Sequence, residues 1–304
     1  MYFGTLLGSL FKLFLFVVLG YIIKKINLVT EKTTQELSDV LLKVIVPCSV
    51  ISSGFEGKGN DIKSVGLSFL IITLCYIFFF ILSFAFLKRV FKDEKMKNTA
   101  VNMCVFANTG FIGLPLTQVL CGSEGMIYAV IYNLMYNVFM FTYGIRLISG
   151  ETKHKLDWKS VLLDPLIIAS VVSIALFLAP IEDGGVIEEF FSAIGSMSGT
   201  LSMMLIGSWL IGLNLKSIMT KPLCYAVSVL RLLVFPLLVY LVLYLLKVDL
   251  IMRNTIVLIS ALPVGALNVV LAKKYNTDVS FANETMMQTL VLSVVTIPLL
   301  VLLF

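Results

Sequence analysis

The sequence predicts an all-α integral membrane protein of ten transmembrane helices, built as two inverted repeats of five. Three observations predict it: too little charge for a water-facing surface, ten apolar stretches of spanning length, and basic residues that alternate between successive loops. Of the 304 residues, 59% are hydrophobic and 13% charged, with 23 Lys and Arg against 18 Asp and Glu. A soluble domain carries about 25% charged residues, so a soluble fold of this length could not cover itself.

The same composition excludes other classes. The net charge of +5 is scattered, with no basic stripe interleaved with aromatics, so nucleic acid is not an expected partner. Cys48, Cys75, Cys104, Cys121 and Cys224 lie singly in apolar runs without a CxxC and read as buried free thiols. The one histidine, His154, sits in a polar stretch, so no intramembrane His-based metal site or His-dependent triad can be assembled.

A spanning helix needs about 20 mostly apolar residues. Span 1 (3–23) ends in Lys24-Lys25 and lacks the basic leader and cleavage site of a signal peptide. Span 2 (37–55) contains Val46-Pro47, and span 3 (64–87) stops at Lys88-Arg89. Spans 4 (98–121) and 5 (125–148) follow, then a charged linker, Gly150–Ser160, too short to be a soluble domain. Spans 6 (161–180), 7 (189–212), 8 (222–246), 9 (252–273) and 10 (281–303) complete the set.

Loops after odd-numbered spans hold sixteen Lys and Arg, from Lys24 and Lys25 to Lys273 and Lys274. Loops after even-numbered spans, with the termini, hold four: Lys58, Lys63, Lys247 and Arg253. The positive-inside rule places the odd loops in the cytoplasm and both termini outside. Residues 1–150 then form one repeat (spans 1–5) and 151–304 the other (spans 6–10). Because five is odd, the second enters from the opposite side, as in many secondary transporters.

Two corresponding spans are interrupted. Span 4 contains Asn108-Thr109-Gly110-Phe111-Ile112-Gly113-Leu114-Pro115, and span 9 contains Ala261-Leu262-Pro263-Val264-Gly265-Ala266-Leu267-Asn268. Gly113, Pro115 and Pro263 are the expected helix breakers. In hydrocarbon such breaks survive only where protein or a wet cavity satisfies the freed backbone. Asn108 lies 11 residues beyond Lys97 and Asn268 lies 15 beyond Arg253, about 16 and 22 Å into a core of ~30 Å. Helix N-termini and neutral amides at that depth suit a small carboxylate. The candidate substrate-binding residues are Asn108, Thr109, Gly110, Gly265 and Asn268; no catalytic or metal-binding residue is expected.

These motifs also carry a family resemblance. Asn108–Leu116 (NTGFIGLPL) and Ala261–Asn276 (ALPVGALNVVLAKKYN), supported by Leu19–Lys24, Val46-Pro47 and Arg231–Pro236 (RLLVFP), resemble the auxin efflux carrier family of plant PIN carriers and bacterial organic-acid permeases. The resemblance implies a bile acid:sodium symporter-like, elevator-type carrier and a homodimer. Spans 1, 2, 6 and 7 would form the scaffold, and spans 3–5 with 8–10 the moving transport domain. Asn108 matches the carboxylate-contacting Asn of plant members and Pro115 the Pro of their first crossover. Asn268 stands where plant members have Pro, and their long hydrophilic middle loop is missing, so auxin itself is not the expected substrate.

Charge inside the spans is rare. Asp39, Glu188, Glu189 and Glu284 lie near span ends, and no cofactor is expected; coupling to Na+ or H+ is left open. Arg231, about ten residues into span 8, attracts the anion or braces the moving domain, or else pairs with backbone carbonyls as a structural post. Lys43 is expected to snorkel, and Lys12 to face a dimer groove or a lipid headgroup. Trp209, Ser208, Met203 and Met204 are cavity or packing residues. The expected function is secondary transport of small organic anions across the plasma membrane, with an anion-binding receptor or regulatory protein as the alternative. An enzyme is not expected: no paired intramembrane Asp, Ser/His dyad, His cluster or phosphate-binding loop is present.

Overall fold

A computed structural model describes residues 2–55, 62–150, 163–179, 183–211 and 218–304. His154, the linker from residue 151 onward and the loop lysines Lys58, Lys153, Lys155, Lys159 and Lys216 lie outside the described residues. The described residues form helices α1 (Tyr2–Lys25), α2 (Glu31–Phe55), α3 (Ile62–Leu87), α4 (Glu94–Val105), α5 (Thr109–Ser149), α6 (Pro165–Leu178), α7 (Gly185–Trp209), α8 (Pro222–Leu245), α9 (Leu250–Ser260), α10 (Leu267–Lys274) and α11 (Val279–Val301). Six of these (α2, α3, α5, α7, α8 and α11) are long and apolar enough to cross a membrane, and α6 and α9 are shorter apolar helices. This is an all-helical, multi-pass membrane protein.

The scarce acidic residues serve the helix starts. Asp93 accepts the Met96 N–H at 2.7 Å, Asp249 those of Ile251 and Met252 at 3.0 Å, and Asp278 that of Phe281 at 2.9 Å. Asp164 caps α6, with Pro165 at the first helical position. Each cap contributes about 0.5–2 kcal/mol by satisfying an N–H that the helix leaves unpaired.

Prolines shape the helix interiors. α2, α5 and α8 each widen into a π-helical turn ahead of a proline, at Leu41–Ile45, Thr109–Gly113 and Leu230–Val234, and α5 has a further one without a proline at Met140–Gly144. Each of the first three ends two residues before its proline: Pro47, Pro115 and Pro236. A proline lacks the N–H and its ring crowds the carbonyl four residues back; opening the preceding turn relieves both. α5 also contains Gly122 at φ 66° and ψ −166°, a conformation outside the helical range. It falls where the sequence separates spans 4 and 5, and a residue without Cβ meets that turn at low cost.

Two compact units make up the chain, residues 1–65, 110–131 and 159–213 in one and 66–109, 132–158 and 214–304 in the other. Each unit draws on both halves of the sequence. In the first unit α1 packs against α7 backbone to backbone: a Cβ at Gly20 would run into the Met204 carbonyl, and one at Gly207 into that of Val17. Small residues of this kind let membrane helices approach closely where no hydrophobic force draws them together. Phe111 stacks on Trp209 with ring centroids 4.6 Å apart, and Met203 is buried, so these residues pack. Lys12 is exposed on α1, while Lys43 pairs with Asp39 at 2.9 Å.

In the second unit an aromatic core joins α3, α5 and α8. Tyr76 stacks on Phe139 at 4.9 Å and Phe79 on Phe235 at 4.3 Å, all four rings buried. Cys48, Cys75, Cys104 and Cys224 are buried free thiols, and Cys121 is half-buried.

The α1–α7 seam makes a direct prediction. Replacing Gly207 by Leu forces a side chain into the Val17 backbone and should destabilise the protein by about 1–3 kcal/mol or more, seen as a lower melting temperature in detergent. Gly66→Leu, at a site where a Cβ meets nothing within 4 Å, should melt like the parent.

Candidate functional site

The two interrupted spans meet within the second unit. α4 ends at Val105, and Phe106 leaves the helix in an extended conformation, φ −102° and ψ 99°. α9 ends at Ser260, and α10 restarts at Leu267. The freed strands pair antiparallel: Ala107 bridges Val264, the Asn108 N–H donates to the Pro263 carbonyl at 2.9 Å, and the Gly265 N–H to the Phe106 carbonyl at 3.1 Å. A Cβ on Gly265 would sit 2.8 Å from the Ala107 oxygen, so this approach needs glycine. Two broken helices thus satisfy each other's main chain.

Side chains complete the accounting. Thr289 on α11 accepts the Val264 N–H at 3.1 Å. Asn268 is fully buried, donates to the Phe106 and Gly265 carbonyls, both at 3.0 Å, and accepts from Asn102 at 3.1 Å. Its amide is therefore engaged in holding the crossover.

Arg231 serves the other face. It has no exposed surface. Its Nε donates to the Leu262 carbonyl at 2.9 Å, Nη2 to Ile259 at 3.1 Å, and Nη1 to Cys104 at 3.1 Å and Val105 at 3.3 Å. The Cys104 and Val105 carbonyls close α4, the Ile259 carbonyl, which also accepts the Leu262 N–H at 3.3 Å, closes α9, and the Leu262 carbonyl lies just past it; the helix dipoles are negative at these ends. Of the roles the sequence leaves to Arg231, pairing with backbone carbonyls is the one these contacts perform. The π-helical turn ahead of Pro236 is the segment that carries it.

The remaining predicted residues divide. Asn108 is half-buried, and its side chain makes no hydrogen bond among the described residues. Thr109 is buried and donates to Asn133 Oδ1 at 2.8 Å. Gly110, Gly113 and Pro115 belong to the first compact unit, on the π-helical turn and the first α-helical turn of α5; the break itself lies earlier, at Phe106–Asn108. The structure thus brings Asn108, Thr109, Pro263, Gly265, Asn268 and Arg231 into one constellation.

Three participants escape the sequence reading: Asn102, Asn133 and Thr289. All three are buried polar residues within apolar spans, and that is the signal that could have found them. Asn133 Nδ2 and Asn102 Oδ1 are buried without a hydrogen-bond partner among the described residues. Asn133 therefore holds a free amide donor beside Thr109.

A family model described as "Membrane transport protein" matches residues 5–301, nearly the whole chain. The chain belongs to this family, the auxin efflux carriers. Two archaeal members are similar along most of their length. An uncharacterized transporter of Methanothermobacter thermautotrophicus is 25% identical over 288 residues, 93% of each chain. Another, of Methanocaldococcus jannaschii, is 24% identical over 299 residues, 93% of this chain and 94% of its own. Protein ECM3 of Saccharomyces cerevisiae is 25% identical over 159 residues, 48% of this chain and 26% of its own. This auxin efflux carrier family member is accordingly a membrane transporter.

If Arg231 is the post of the transporter's crossover, Arg231→Met strands the Cys104, Val105 and Leu262 carbonyls at roughly 1–3 kcal/mol each. The variant should melt far below the parent and lose trypsin resistance. Arg231→Lys should recover only part of the loss, because one ammonium cannot span both helix ends as a planar fork does. An unchanged melting temperature in Arg231→Met would contradict the assignment.

Proposed function

We propose that this transporter moves small organic anions, of the carboxylate class, by alternating access, with Asn108 as the principal substrate contact. The observation that carries the reading is the Asn108 amide, half-buried and unengaged, immediately beyond a crossover whose main chain is otherwise satisfied. A polar group held inside a membrane protein at that cost serves a ligand. Thr109 continues the site from Asn108. Asn133 stands behind Thr109 with a free donor, and Gly265 with the N-terminal end of α10 supplies close backbone approach and a positive dipole end. Asn268 shapes this wall through the main chain.

Neutral donors fit an anion that must be released again. Full countercharge would hold a carboxylate tightly, whereas amides and a helix end bind it more weakly. Arg231 balances helix ends and spends four hydrogen bonds of its fork on them. Ten spans in inverted repeats, a homodimeric assembly and a plasma-membrane location with both termini outside complete the proposed carrier. Coupling to Na+ or H+ is read directly by imposing each gradient in turn.

Protein reconstituted in liposomes should accumulate a radiolabelled mono- or dicarboxylate. Asn108→Ala should lower apparent affinity roughly ten- to a hundredfold, the scale of one hydrogen bond to a charged group, while melting like the parent. Asn268→Ala should instead lower the melting temperature. Carboxylate binding without flux in the parent would favour a receptor, and unchanged flux in Asn108→Ala would remove Asn108 from the site. For topology, an impermeant thiol reagent applied to intact cells should label Lys247→Cys and spare Lys92→Cys; the reverse pattern would invert the proposed orientation.

A further inference from the structure

α3 and the later part of α5 run in the same direction: Tyr76 lies 5.3 Å from Tyr132 and stacks on Phe139, and Phe80 lies 6.3 Å from Tyr143. Between them lies a groove of about 970 Å³, at the upper end of the size range for small-molecule pockets. Its walls include Ile77, Ile81, Phe84 and Val138, whose side chains are open at the protein surface. At the end reached last by both helices the lining changes to Asn98 and Arg146.

Neither polar residue is engaged among the described residues. Arg146 is exposed and has no acidic partner among the described residues, and the half-buried Asn98 amide makes no hydrogen bond among them. The loop that follows α3 brings Lys88, Arg89 and Lys92 to the same end. Of the nearby acids, Asp93 caps α4 and Glu94 pairs with Lys97 at 3.0 Å. The groove therefore has an apolar trough open at the protein surface and, among the described residues, a net-positive end with an unengaged guanidinium and an unengaged amide.

We propose that this groove binds one anionic phospholipid, its acyl chain along Ile77, Ile81 and Val138 and its phosphate on Arg146 and Asn98. Guanidinium and amide N–H groups match phosphate oxygens, and basic sites beside membrane helices select anionic headgroups in this way. A zwitterionic lipid offers the same chains and phosphate, but its ammonium faces Lys88, Arg89 and Lys92. The site shares no residue with the crossover, so it stands or falls independently of the proposed transport chemistry.

Native mass spectrometry of the full chain in detergent, with phosphatidylglycerol and phosphatidylcholine of matched chains, tests the proposal. Phosphatidylglycerol should be retained about fivefold more strongly, the scale of one basic side chain at a membrane surface. Arg146→Gln should abolish the preference, Arg146→Lys should restore most of it, and Val138→Trp should fill the trough and reduce retention of both lipids. Melting temperatures equal to the parent's identify the variants as folded. Equal retention of the two lipids by the parent, or a preference that survives Arg146→Gln, would overturn the proposal. Displacement of phosphatidylglycerol by equimolar oleate would also overturn it, assigning the groove to a free fatty acid.

Discussion

A polypeptide carbonyl or N–H left unpaired inside a bilayer costs several kcal/mol, and this protein interrupts two helices there. The crossover of its second unit answers that constraint. The two breaks donate to each other through the Asn108–Pro263 and Gly265–Phe106 main-chain bonds. Thr289 and Asn268 satisfy what the pairing leaves over, and Arg231 gathers the carbonyls at the ends of α4 and α9. Remove the guanidinium and the Cys104, Val105 and Leu262 carbonyls lose the partner that the described residues give them. Its cost of burial is thus offset by the acceptors it serves, and its charge by the dipoles it faces.

This arrangement separates two jobs that the sequence presents as one. Gly, Pro and Asn at matching places in spans 4 and 9 announce breaks, because each weakens helical hydrogen bonding. They do not announce where the chain leaves the helix. Phe106 and Ala107, the residues that become extended, have nothing in their side chains to mark it; the partner strand does, and it is remote in sequence. Asn108 and Asn268 look equivalent as amides within broken spans. Only the folded chain shows one amide turned into the main chain and the other unengaged. Arg231 was legible as the most expensive charge, since any buried guanidinium must have partners, yet expense does not say whether they are a ligand or a backbone.

Other features were legible because they depend on local chemistry. The prolines of the Val46-Pro47, GLPL and RLLVFP motifs each open the turn before them, a consequence of ring geometry that needs no tertiary information. The aspartates were visible only as residues that avoid the apolar interior; in the structure Asp93, Asp164, Asp249 and Asp278 begin helices. Asn133 stayed hidden for the opposite reason. A single polar residue in a long apolar span has many innocent explanations, and its meaning comes from Thr109, a neighbour supplied by the fold.

The bracing of α4 and α9 also has an electrical side. A helix C-terminus carries roughly half a negative charge, so two of them meeting one guanidinium form a block close to neutral. Displacing such a block across a membrane potential does little work, whereas a bare arginine would feel about 2.3 kcal/mol for every 100 mV crossed. In the proposed cycle the crossover therefore contributes almost no gating charge of its own. The voltage dependence of transport then belongs to the anion and whatever ion accompanies it.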